Sequence, residues 1–162
     1  MTLNPFFWIS YGLFYLISLL PFSVLYFLSD GLYYLLYTVI GYRKQVVRDN
    51  LRRSFPTKNE QERLDIEKTY FRFLADNLIE SLKSLSMSKK SFQKRFHLKN
   101  PEIITQFTDK NQSILLAMSH YANWEWSAPG LTLQIPVKTI LVYKPLSNKS
   151  AEMVINGIRA QY

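Results

Sequence analysis

Cysteine is absent from the 162-residue sequence. A disulfide framework, a thiolate metal site, an iron–sulfur cluster and a cysteine nucleophile are therefore excluded. Histidine is scarce, at His97 and His120 only. There is no G-x-G-x-x-G run and no Walker loop, so two familiar glycine-rich phosphate cradles are missing. There is no internal repeat and no low-complexity segment. Charge is nearly absent from residues 1–42, where Asp30 stands alone. No Lys or Arg precedes Arg43, so the basic start of a secretory signal peptide is lacking. With 48% hydrophobic and 20% charged residues, a disordered chain is excluded as well.

What is present falls into two chemistries that meet at about Arg43. From there on, the chain carries all twenty Lys and Arg against eleven of the twelve acids, a net of +9. Before it, residues 5–28 (PFFWISYGLFYLISLLPFSVLYFL) hold no charge. About 20 predominantly apolar residues cross a bilayer as a helix, which satisfies its own backbone there. Residues 1–42 are thus expected to be a membrane anchor, spanning at about 5–28, with Pro21 placed to kink or divide it. Trp8, Tyr11, Tyr15 and Tyr26 suit the interfaces. A second apolar stretch, residues 31–42, is too short to span alone. It reads as a continuation, a re-entrant piece or an interfacial helix. A buried hairpin in a water-soluble protein is the rival reading of the region. Arg43, Lys44, Arg48, Arg52 and Arg53 follow directly. The positive-inside rule puts them at the cytoplasmic face, near anionic headgroups.

Residues 43–55 (RKQVVRDNLRRSF) read as a basic amphipathic helix closed by Pro56, with Val46, Val47, Leu51 and Phe55 on one side. Thr57 and Glu60 have capping-box spacing. The helix after them is expected to reach about Leu85, with Leu64, Phe71, Leu74, Leu78, Leu82 and Leu85 as its core stripe. Residues 83–99 hold six Lys and Arg and no acid. They read either as solvated surface or as a surface for anionic phosphate or an acidic carrier protein. His97, in this run, reads as an exposed polar residue.

Residues 113–118 (SILLAM) read as a buried strand, and 123–133 as a helix shortened or bent by Pro129 and Gly130. Residues 137–143 (VKTILVY) read as a second strand, and Ser147 as the cap of a last helix through Ile158. The expected fold class is therefore α/β: a membrane helix and a helical segment, then the start of a sheet domain, a βαβ unit with parallel strands.

Ligand sites in α/β sheets gather at the carboxyl ends of strands, and that is where His120 falls. Glu125 is five residues on. On one helix the two would stand about 140° apart. With His120 in a loop and Asn123 capping the next helix, Glu125 enters the first turn, and the loop can fold the imidazole onto the carboxylate. Such a pair makes a general base, because the carboxylate fixes the tautomer and stabilises the imidazolium. A helix N-terminus beside it favours developing negative charge. The competing reading is an ordinary polar His and Glu in a loop.

The string LLAMSHYANWEW, which contains His120-x4-Glu125 and Asn-Trp-Glu, resembles the first block of the lipid A late acyltransferases. These are the lauroyl/myristoyl group of the lysophospholipid acyltransferase superfamily. RKQVVRDNLRRSFP resembles the group's basic segment after its membrane helix, FRFLADNLIESLKSL its next helix, and VYKPLSNK its Tyr-Arg-Pro…Asn block. Lys144 stands where the group usually has Arg; it keeps the charge but loses bidentate recognition. The resemblance covers nearly the whole chain.

It implies a membrane-bound O-acyltransferase. His120 would take a proton from an acceptor hydroxyl, and Glu125 would orient and charge-stabilise it. Lys144 and Arg159 would hold phosphate or oxyanion charge, with Asn123 supporting the loop. The implied donor is an acyl thioester, on acyl carrier protein or acyl-CoA. The implied acceptor is a lipid A precursor at the cytoplasmic side of the bacterial inner membrane. No metal or other cofactor is called for. Trp124 and Trp126 would wall an acyl pocket or simply pack. A lysophospholipid or aminolipid acceptor is an alternative. So is a non-catalytic basic protein that binds anionic lipid through residues 43–53 and 83–99. Nucleic-acid binding is not expected, since no recognition motif is present. Two parallel strands bury too little, and the group continues with further strands. Residues 43–162 are thus expected to be the N-terminal part of the acyltransferase domain, truncated and inactive alone.

Overall fold

The computed structural model describes residues 5–135, 138–140 and 142–160. Its regular elements are helical. They are α1 (Pro5–Ser18), α2 (Phe22–Tyr34) running into a π-helical turn (Leu35–Val39), α3 (Lys44–Ser54) and α4 (Glu60–Lys83). After these come α5 (Lys89–Gln93), α6 (Glu102–Thr108), a 3-10 turn (Trp124–Trp126), α7 (Ser127–Gln134) and α8 (Lys149–Ala160). No strand occurs among the described residues, so the expected α/β class and its βαβ unit are corrected to a helical architecture. Residues 113–118 are exposed along their whole length, Leu115 to 93%. A strand needs neighbouring N–H and C=O groups and a covered face, and this segment has neither. In the second expected strand Val137 and Leu141 lie outside the described residues. The described residues around them are exposed and form no ladder.

The chain divides into two units, Met1–Leu19 with Lys83–Tyr162, and Leu20–Leu82. The apolar start is not one helix over residues 5–28. α1 ends at Ser18, and α2 begins after Pro21, which is extended at φ −64° and ψ 154°. Proline has no N–H to continue a helix and pushes the residue before it out of the helical region. Among the described residues one stretch, Phe22–Val39, 18 residues long, has the length and composition to cross a membrane; Phe7–Ser18 is shorter.

In the Leu20–Leu82 unit, α2 lies against α4. Leu25, Ser29, Tyr33 and Tyr37 recur at four-residue steps and so share a face. The Ser29 hydroxyl donates to Asp76 at 2.6 Å, and the Tyr26 hydroxyl to Glu80 at 2.8 Å. The Arg72 guanidinium stands over the Tyr33 ring at 4.7 Å, and the Tyr37 and Phe71 rings are 5.3 Å apart. On α4 the buried line runs through Glu67, Phe71 and Ala75. Of the expected stripe, Phe71 and Leu85 are buried, but Leu78 is exposed. The line moves because Glu67 is carried inside with a partner: Arg48 of α3 donates to it through Nε at 2.9 Å and Nη2 at 3.2 Å. That hydrogen bonding raises the Arg48 pKa above its ordinary value.

The cap of α4 is a reciprocal box between Asn59 and Glu62, not between Thr57 and Glu60. Glu62 N–H donates to Asn59 Oδ1 at 2.9 Å, and Asn59 N–H to Glu62 Oε2 at 2.8 Å. Residues 56–58 are used by the preceding turn, which the Lys58 N–H closes onto Phe55 O at 3.3 Å.

In the other unit, Phe92, Met87, Trp126, Leu131 and Ile135 form the core. Trp126 donates its indole N–H to Ser84 Oγ at 2.9 Å and packs its ring 5.2 Å from Phe92. The last carbonyl of α1, Ser18 O, accepts from Lys83 Nζ at 2.8 Å and Ser86 Oγ at 2.7 Å. Burial, with Arg95 nearby, holds the Lys83 ammonium below its usual range. Pro129 does not break α7, because it falls in the first turn, where its missing N–H is not needed. Gly130 of α7 faces Phe96, and a Cβ there would stand 2.6 Å from the ring's Cγ. Gly130→Ala is expected to destabilise the chain by about 1–3 kcal/mol through overpacking. Phe96→Leu in the same chain should recover part of it. Paired denaturant titrations read both effects, and an unchanged Gly130→Ala midpoint would show that the ring moves freely.

Candidate functional site

His120 lies in the irregular stretch that leads from residue 113 into the 3-10 turn, and it is exposed. Ala122, two residues on, sits in the left-handed region at φ 51°. A residue with a Cβ pays roughly 1–2 kcal/mol to be there, so the loop is held by its surroundings. The hold comes from the turn that follows. Trp124 N–H donates to Ala122 O at 3.1 Å, and Trp126 N–H to Asn123 O at 3.2 Å. Asn123 occupies the N-cap position of the 3-10 turn without a side-chain cap bond. Trp126 packs into the core, whereas Trp124 is partly exposed, with its ring 5.1 Å from the His120 imidazole.

Glu125 is in the turn between the two tryptophans, and its carboxylate is taken by Arg159. Arg159 Nη2 lies 3.3 Å from Oε1 and 3.1 Å from Oε2. The two side chains keep 21% and 26% of their surface. No hydrogen bond or ion pair joins His120 to Glu125 among the described residues. The structure thus brings Glu125 and Arg159 together and places His120 beside Trp124. Lys144 is exposed, with no ion pair among the described residues.

Arg159 comes from the last turn of α8, and a second set of bonds seats that helix. The guanidinium stands over the Tyr143 ring at 4.5 Å. The Tyr143 hydroxyl reaches Glu152 Oε1 at 3.1 Å and Asn156 Oδ1 at 3.0 Å. Glu152 also accepts from the Leu146 N–H at 2.8 Å and from Asn156 Nδ2 at 2.9 Å. These donors, the Leu146 N–H foremost, hold the Glu152 carboxyl below its ordinary range. Its contribution is therefore present at neutral pH and is lost as pH falls through the lowered pKa. The cap of α8 is Asn148, whose Oδ1 accepts from Ala151 N–H at 3.0 Å, rather than Ser147. Sequence reading met Tyr143 only within the VKTILVY strand and the VYKPLSNK block, with no role of its own, and missed Glu152 and Asn156. The signal for the latter two was present, since residues 152, 156 and 159 follow the four- and three-residue steps of one helix face.

Chemically, the arrangement is an exposed imidazole followed by a carboxylate whose charge is compensated by a guanidinium. A guanidinium presents several donors and can bind a carboxylate or a phosphate. Among the described residues no group of three or more His, Asp or Glu is placed to hold a metal ion.

A family model described as bacterial lipid A biosynthesis acyltransferase matches residues 2–162. The lipid A biosynthesis lauroyltransferase of Escherichia coli (strain K12) is 28% identical over 141 residues, covering 87% of this chain and 45% of that protein. The chain thus spans a little under half the length of that relative. No solved structure matches it significantly.

The pair Glu125–Arg159 ties two segments 34 residues apart. A double-mutant cycle with Glu125→Gln and Arg159→Met, read by denaturant unfolding, is expected to give a coupling of about 1 kcal/mol, modest because both groups are partly solvated. Losses that simply add would show that the pair holds nothing in place.

Proposed function

The chain belongs to the bacterial lipid A biosynthesis acyltransferase family, and from that premise we propose that it serves O-acyl transfer to a lipid A precursor. The donor is an acyl thioester carried on acyl carrier protein or CoA. The acceptor is a hydroxyl of the precursor, met at the cytoplasmic side of the inner membrane. The observation that carries this reading is the His120–Glu125 segment itself: an exposed imidazole on a loop, followed by a carboxylate fixed in a tight turn.

In the reaction, His120 takes the acceptor hydroxyl's proton as its oxygen attacks the thioester carbonyl carbon. A tetrahedral oxyanion forms. The C–S bond then breaks, and the departing thiolate takes the proton from the imidazolium, so atoms and charge balance. Glu125 orients the imidazole and stabilises its positive form. Arg159, which in the free chain holds Glu125, is the donor for a phosphate or the oxyanion. An anionic group arriving there competes for the guanidinium and frees the carboxylate to turn toward His120. Lys144 supplies a second exposed cation, and Asn123 supports the loop. The exposed Lys89, Lys90, Lys94, Arg95 and Lys99 suit an acidic acyl carrier.

The test is mass spectrometry of lipid A from cells that lack the gene, complemented by the intact gene or by its His120→Ala form. Loss of one acyl chain, restored by the first and not by the second, is the expected result. Removing a general base lowers the rate by about 10²–10⁴-fold. A lipid A profile that does not change on deletion overturns the acceptor. Full restoration by His120→Ala overturns the role of the base.

A further inference from the structure

The stretch Phe22–Val39 is long and apolar enough to span a bilayer, yet one face of it is already taken. From Tyr26 to Tyr37 that face is bonded to α4 by the Ser29–Asp76 and Tyr26–Glu80 hydrogen bonds, the Arg72–Tyr33 stack and the Tyr37–Phe71 contact. Between Glu60 and Leu82, α4 carries nine charged side chains. Charge at the centre of a bilayer costs about 2.5–3.5 kcal/mol per residue even on the lenient scale, so α4 cannot follow α2 through hydrocarbon. Ser29, 1% exposed, keeps its bond only while α4 stays beside it. Asp30, exposed, falls at the midpoint of the 18 residues and has no ion pair among the described residues. A span would put this carboxylate at mid-depth.

The remaining face of α2 and its π turn is open and largely apolar, with the exposed Asp30, three residues from Phe27 and four from Tyr34, at its edge. Phe27 is 75% exposed, Val39 63% and Tyr34 60%, with Val24, Leu28 and Leu35 beside them. α3 follows at once; its Arg48 is bonded to Glu67 and its Arg52 to Asp49, while Lys44 and Arg53 have no ion pair among the described residues, and Arg52 and Arg53 are both exposed. We infer that the Leu20–Leu82 unit binds an anionic phospholipid surface with α2 lying in the plane of one leaflet, its apolar face down, and does not cross the bilayer. The occupant of the open face is the headgroup–acyl boundary. An apolar helix face enters that boundary by about 5–10 Å, and cations close by gain from anionic headgroups. This inference stands on the packing of one unit and not on the acyl-transfer reading.

Residues 1–162 hold no cysteine, so a single cysteine placed among them is read against the same protein without the added cysteine. Ser23→Cys and Thr38→Cys, at exposed positions near the two ends of the stretch, are placed one at a time in the full chain in its native membrane. A membrane-impermeant maleimide is applied to intact spheroplasts and to inverted vesicles. Both cysteines should react from the same side. Reaction from opposite sides would mean a span and overturn the inference. If neither reacts, depth decides. A fluorophore on Phe27→Cys, quenched by nitroxide lipids, should sit near the headgroup boundary, and a mid-bilayer depth overturns the inference. Arg52→Glu with Arg53→Glu should weaken binding to phosphatidylglycerol-containing vesicles by about tenfold or more, with binding to pure phosphatidylcholine little changed. Equal loss on both vesicles would remove the anionic surface as the partner.

Discussion

The buried hydrogen bond from the Trp126 indole to Ser84 constrains where the rest of its unit can stand. An indole N–H taken out of water needs an acceptor, and Ser84, itself 2% exposed, is in reach at the end of the α4 segment. With Phe92 against the same ring, the 3-10 turn has one seat. Its neighbours inherit that seat. Glu125, one residue earlier, cannot enter the core beside Trp126 and turns its carboxylate to Arg159. Ala122 is held at a positive φ that an isolated loop would leave. Gly130 is pressed so close to Phe96 that no Cβ fits without movement. The loop bearing His120 thus takes its shape from a tryptophan six residues away.

The Leu20–Leu82 unit rests on a different kind of constraint. Its core is thin on apolar volume and rich in paired polar groups. Glu67 is nearly inaccessible, and a buried carboxylate is tolerated only with good partners. Arg48 provides the partner while keeping its own outer surface wet, 43% exposed, so the guanidinium avoids the full desolvation cost. α3 is docked on α4 by the same pair, which leaves its remaining arginines directed outward as a cationic rim.

Local signals in the sequence were legible to within a residue or two. The basic helix expected over 43–55 is Lys44–Ser54, and the helix expected to reach Leu85 stops at Lys83. The caps slipped, Asn59 for Thr57 and Asn148 for Ser147, because several cap-competent residues lie side by side and the turn geometry chooses among them. His120 in a loop with Glu125 in the following turn was also legible, since spacing alone forbids them a shared helix face. The partner of Glu125 was not. Arg159 is 34 residues away, and only tertiary packing joins them. The strands failed for the opposite reason. Residues 113–118 have the right composition, but composition describes what a strand would bury, while a strand also needs a neighbour to bond.

The apolar start shows why composition and partnership must be read separately. By composition the chain changes character at Arg43, and everything before it reads as a membrane anchor or, in the rival reading, as a buried hairpin. The helices do not respect that division, because α2 belongs with α4, the most charged long helix of the chain. What joins them is visible in retrospect at Ser29, a hydroxyl in an apolar helix, fully covered and bonded to a carboxylate. A serine facing lipid can satisfy itself on its own helix backbone. One that reaches across to an aspartate has a protein neighbour, and that neighbour's charges limit how deep either helix can go. Depth in a membrane is therefore set less by the mean hydropathy of a segment than by the most polar group to which it is bound.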